Sequence, residues 1–179
     1  MDNISNISNI SNFLLVMMLL SYCIPIVYVY YNYSTDENHS VSSVIGSDKC
    51  QRYILIGMII MGVFTILYEL NRGCKLSFSF IFLLLIGIYG VILVKENDKI
   101  HYIFASLVFI GIICFMGTHC YFRDLDFLKL SLYLQFILSI FLLVCFTRNI
   151  DIFFCEVLLI VNFAVFYLYL HNYYNYYMT

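Results

Sequence analysis

The sequence has no tryptophan, a single proline and very little charge. The shortage of charge excludes the most. Charged residues make up 11% of the chain, against about a quarter of an ordinary soluble protein. So few cannot coat a water-facing surface, and a bilayer removes the need for one. The net charge is −2, with no basic tail or patch, which argues against nucleic acid as a partner. Seven cysteines are present, yet no C-x-x-C occurs, so neither a redox dithiol nor a zinc knuckle is indicated. G-x-S-x-G, H-E-x-x-H and, inside the apolar runs, two acids within a helix turn of each other are also missing. The reading is therefore non-enzymatic and needs no cofactor. A transporter usually carries internal repeats or helices broken by Gly or Pro near the midplane. Pro25 alone fits that description, and the two halves do not repeat.

What is present is apolar. Hydrophobic residues make up 63% of the chain, and mean hydropathy is +0.92. Six apolar runs stand at about 13–31, 53–70, 76–94, 101–121, 130–146 and 152–170. Each is close to the roughly 20 residues that a membrane-spanning helix needs. The expected fold is all-α: a polytopic integral membrane protein with a six-helix transmembrane bundle over 13–170. Residues 1–12, with Asn-Ile-Ser repeated, are expected to be a disordered polar tail. Residues 171–179 are expected to be an aromatic tail. No Lys or Arg precedes the first run, which fits a retained span rather than a signal peptide. Pro25 inside it predicts a kink. Tyr28, Tyr30, Tyr31 and Tyr33 suit the membrane interface. Every connection after the first is short, so neighbouring spans run antiparallel in an up-down bundle.

Charge does not orient the bundle. Arg72, Lys75, Arg123 and Lys129 fall on the side of the termini, and Lys49, Arg52, Lys95, Lys99 and Arg148 on the other. The positive-inside rule needs a clear excess. Asn32 and Asn38 in the first loop head glycosylation sequons, as do Asn3, Asn6 and Asn9 in the tail. The tail and the first loop lie on opposite sides of the first span, so both sets cannot be lumenal.

Glu156 is the most expensive residue. It lies about one turn inside the last run, where an acid must find a partner, lose its charge or reach the interface. Two readings stand: a carboxyl that pins helix packing, or a proton or headgroup site. His101 opens the fourth run at the same depth and on the same side, and Asp36, Glu37 and His39 of the first loop share that side. Such a group suits a lipid headgroup, a divalent metal or a proton; the plainer reading of His101 is a helix cap. Glu69, Cys74, His119, Cys120 and Arg123 gather at the opposite mouth. His119 and Cys120 are two ligands without a second pair, so no metal site is assigned. Gly111, Cys114 and Thr118 form a small-residue stripe that lets a neighbouring helix come close.

The stretch His101-x-x-x-Ala105-x-x-x-Phe109 resembles the fourth span of a eukaryotic six-span family. That family contains the damage-regulated autophagy modulators and proteins linked to GPI-anchor lipid remodelling. Its first loop often carries an Ile-Ser-Asp-x-Gly-like motif, where this chain has Val41-Ser42-Ser43-Val44-Ile45-Gly46. The acid is missing and the glycine falls one place late. The resemblance implies cytosolic termini, a first loop facing the lumen or exterior, and a regulatory function. The expectation is a multi-pass protein of an endomembrane or the plasma membrane. It would act, without catalysis, on or through membrane lipids or other membrane proteins, with the first loop as its main exposed surface. The alternative is a lipid-handling protein or small transporter using His101 and Glu156.

Overall fold

The computed structural model describes residues 2–34, 40–47, 49–95, 98–148 and 150–177, with side chains from 9 to 173. Among them are seven helices and no strand. The long ones are α1 (Asp2–Asn32), α3 (Gln51–Arg72), α4 (Lys75–Leu93), α5 (Lys99–Phe122), α6 (Asp126–Thr147) and α7 (Phe153–Tyr177). Short α2 (Val41–Ile45) lies in the first loop. All six long helices are apolar and long enough to cross a membrane. The fold is the expected six-helix bundle, and the protein is an integral multi-pass membrane protein.

At both termini the helices run beyond the apolar runs. Helix α1 begins at Asp2 and takes in the polar segment read as a disordered tail. Helix α7 runs on to Tyr177 through most of the aromatic tail. In both, the helical ladder continues past the apolar run because nothing in the sequence stops it. Helix α1 is also continuous through Pro25.

Local chemistry sets the helix ends. Gly73 closes α3 with φ +73°, and its N–H donates to the carbonyls of Glu69 and Leu70. That left-handed turn suits glycine best. Asp98 caps α5 by accepting the Ile100 N–H at 3.0 Å. Ser40 and Ser43 cap α2 reciprocally, the arrangement that satisfies two orphan N–H groups at once.

The bundle is apolar outside, and its largely apolar core also holds buried polar side chains. Leu130, Ile137, Ile140 and Leu143 of α6 are exposed, whereas Glu69, Ser77, His119, Gln135 and Asn162 are buried. Water would penalise that surface, but lipid accepts it. Helices α4 and α5 approach most closely. A Cβ on Gly87 would stand 2.8 Å from the Val108 nitrogen and 2.9 Å from the Phe104 carbonyl oxygen. On the facing helix, a Cβ on Gly111 would lie 3.0 Å from the Leu84 nitrogen. The small-residue stripe thus does what its spacing predicts at Gly111. Helix α3 meets α1 where Gly57 leaves room for the Pro25 ring, 2.6 Å from the site of a Cβ.

Helix α7 differs. Its backbone comes close to α6 and, at one end, to α2. Side chains join it to α5: Phe115 stacks on Tyr167 at 5.4 Å and 8° and meets Phe163 edge-on. A helix that stands off in this way leaves space behind it.

Candidate functional site: an apolar cavity between two polar ends

That space is an apolar cavity of about 190 Å³ between α7 and the wall made by α1, α3, α4 and α5. Leu84, Leu85, Ile88 and Ile92 of α4 line it, as do Leu159, Ile160, Phe163 and Ala164 of α7. On α7 the lining runs from Glu156 to Tyr167, roughly 16 Å at helical rise. That is about half the thickness of a bilayer's hydrocarbon core.

The loop-one end is closed by α2. Val41, Ser42 and Ile45 line the cavity there, and the Val41 N–H donates to Glu156 Oε2 at 2.5 Å. Tyr33, just past α1, stacks on Phe153 at 3.8 Å and donates its hydroxyl to Asp151. Asp151 in turn accepts the Phe153 N–H at 2.9 Å and caps α7. The bond to Asp151, then burial, then the carboxylate's charge push the Tyr33 hydroxyl up to about 12. Gln51 at the start of α3 donates to the Ile92 carbonyl at 2.7 Å. The described part of the first loop is thus built into the bundle: Ser40, Val44 and Cys50 are all at most 2% exposed. Part of the loop expected to be the protein's main exposed surface is thus packed into the bundle, and residues 35–39 and 48 of it lie outside the described residues. Val44, Ile45 and Cys50 are apolar and follow a capping box, so burying them as a plug is favourable.

The terminus-side end is a buried polar cluster around Glu69, which has no exposed surface. Glu69 Oε1 accepts from Arg72 at 2.9 Å and from the Tyr167 hydroxyl. Its Oε2 accepts from Ser77 at 2.9 Å, and Ser77 Oγ lies 3.1 Å from His119 Nε2. A serine hydroxyl has one proton. With that proton on Glu69, His119 Nε2–H donates to Ser77. The serine therefore sits between acid and imidazole, whereas a nucleophilic triad needs the imidazole in the middle. The arrangement is a clamp joining α3, α4, α5 and α7. Arg72 also lies over the rings of Tyr68 and Tyr167, at 5.5 and 5.8 Å. Next to it, Tyr68 bonds His171 Nδ1 at 2.6 Å, and His171 Nε2 bonds Asn12 at 2.9 Å, bringing α1 into the same end.

A third polar group lies deep in the α6–α7 interface. Ser131 donates to Asn162 Oδ1 at 2.9 Å, and Asn162 Nδ2 donates to Gln135 Oε1 at 2.7 Å. In lipid such bonds hold helices that have no hydrophobic reason to associate. Sequence reasoning passed over these residues. The available signal was that Gln135 and Asn162 are the only amides within the fifth and sixth apolar runs.

The expected site residues separate. Glu156 is on the cavity wall. His101 is not on that wall; it is buried, and its Nδ1 donates to the Val94 carbonyl at 2.9 Å. It fastens the start of α5 to the end of α4, which is the capping reading rather than the pairing with Glu156. Asp36, Glu37, His39 and Asn38 lie outside the described residues. Asn32 ends α1 and donates from Nδ2 to the Tyr28 carbonyl at 2.8 Å. All seven cysteines are free thiols, and no group of metal ligands occurs among the described residues. His119 is committed to the clamp, so it does not offer itself with Cys120 as a ligand pair.

The chain matches no family model, no curated protein and no solved structure.

Proposed function

We propose that this is a non-catalytic, lipid-handling membrane protein that takes a lipid acyl chain into its own bundle. One observation carries the reading: the cavity of about 190 Å³ with an almost wholly apolar wall. An engineered apolar cavity of about 150 Å³ already binds benzene. In a bilayer the abundant apolar molecules at this depth are acyl chains. The wall is the wrong chemistry for ions or sugars, which need convergent polar groups.

Native mass spectrometry of the gently extracted protein tests this. The wild type is expected to keep one defined lipid. The Ala105→Phe, Ala164→Phe double variant, which fills the cavity from two walls, is expected to lose it while remaining folded. The same featureless mixture of bulk lipids on both proteins would overturn the reading.

A further inference from the structure

A cavity that takes an acyl chain, the reading on which this inference rests, needs a way in. Backbone packing runs α1 on α3, α3 on α4, α4 on α5, α5 on α6 and α6 on α7. Among the described residues no comparable packing joins α7 back to α1. The two helices are nonetheless neighbours, because they are pinned to each other at both ends. On the terminus side Asn12 of α1 bonds His171 of α7 at 2.9 Å. On the loop-one side Tyr33, just past α1, stacks on Phe153 at 3.8 Å and bonds Asp151. We infer that the seam between α1 and α7 is a lateral portal, through which an acyl chain passes between the bilayer and the cavity.

Register places the portal. Met18 is six residues along α1 from Asn12, and Ala164 is seven along α7 from His171. Both therefore stand roughly 10 Å in from the same pin at helical rise. Tyr22 is ten residues from Asn12 and Ile160 eleven from His171, which puts this second pair roughly 16 Å in. All four line the cavity, as does Leu19. The seam thus borders the void at the middle of the hydrocarbon core, and none of these five side chains is charged.

The cost of parting helices singles out this seam. Where two apolar helix surfaces separate in lipid, acyl chains replace the lost neighbour, and every backbone bond stays within its own helix. Parting α6 from α7 would break the bonds of Asn162 to Ser131 and Gln135. Parting α4 from α5 would undo the close approach at Gly87, and parting α1 from α3 would lift the Pro25 ring off Gly57. On the other flank of α7 the gap to α5 is backed by α6, where Phe109 packs against Leu142 and Leu159.

The test follows lipid exchange on the whole protein. The chain is reconstituted in palmitoyl-oleoyl phosphatidylcholine, gently extracted, and mixed with an excess of the chain-deuterated lipid. Native mass spectrometry then reads how fast one replaces the other. With p-benzoylphenylalanine in place of Tyr22, light joins α1 to α7 across the seam. A fraction of the protein is expected to stop exchanging, equal to the fraction whose peptide maps join position 22 to α7. The same probe in place of Phe127, which meets Tyr169 at 4.3 Å, staples α6 to α7 instead and should leave exchange unchanged. A probe in place of Ile160 repeats the test from α7 where the Tyr22 variant fails to fold. Undiminished exchange in chains stapled across the seam would overturn the portal and leave the cavity reading standing. A probe that reaches nothing on the opposite helix from either position would overturn it too. A wild-type protein that holds no lipid at all sinks the cavity reading, and the portal with it.

Discussion

The carboxylate of Glu69 on α3 accepts the hydroxyl of Tyr167 on α7, between residues 98 positions apart. Both are buried, and Arg72 and Ser77 complete the shell of the acid. Removing one partner of a buried ion pair strands the other charge, at about 3–5 kcal/mol. Glu69→Ala is therefore expected to destabilise the protein by that amount. Tyr167→Phe leaves Arg72 and Ser77 in place and should cost about 1.5–3 kcal/mol. Denaturation in detergent, followed by circular dichroism, gives both values. Equal effects from the two variants would show that the acid is not the hub.

His101→Ala separates a clamp from a site. The ring ties α5 to the Val94 carbonyl, so its loss should cost about 1–3 kcal/mol through the bond and the packing. The lipid retained in native mass spectra should be unchanged, because His101 lies off the cavity wall. Lipid loss with the fold intact would return His101 to the site.

Two glycines on neighbouring helices should behave oppositely. A Cβ on Gly87 meets backbone atoms of α5 within 3 Å, whereas one on Gly117 meets nothing within 4 Å. No rotamer relieves a clash with backbone, so Gly87→Ala forces α4 and α5 apart and should cost about 1–3 kcal/mol. Gly117→Ala should be neutral or slightly stabilising, since alanine is the better helix former. Thermal unfolding of the pair checks the contrast.

The latch between Tyr33 and Asp151 has a pH signature. The neutral hydroxyl is the donor, and the folded value is raised from 10 to about 12. A group raised on folding contributes stability below its unfolded value and loses that contribution as pH passes the folded one. The latch should therefore hold up to about pH 10 and be lost through about pH 12. A difference absorbance titration of wild type against Tyr33→Phe isolates this ring. A difference spectrum that titrates at the ordinary tyrosine value would show that the bond is not made.

The six spans were legible because hydropathy is a local property, and each run carries its own evidence. Glu156 was legible for the same reason, since its cost depends only on depth. What decides the site is not local. Glu69 read as the polar end of a span, and only the approach of Ser77 and Tyr167 from two other helices makes it a hub. His101 and Glu156 share a side and a depth, which sequence order gives. Their separation depends on how α5 and α7 sit around the bundle, which it does not. The cavity was the least legible feature, because a void has no residues of its own. It arises because α7 is held at both ends by polar and aromatic contacts while its middle stays off the wall.

Helix α2 closes one end of that void, and the Glu69 cluster closes the other, each with its own bonds already made. On the proposed reading, an acyl chain enters this space from the bilayer, so its occupancy answers to mole fraction among the lipids and not to concentration in the surrounding fluid. A protein loaded in this way would respond to membrane composition, and diluting the vesicles in buffer should leave it as full as before.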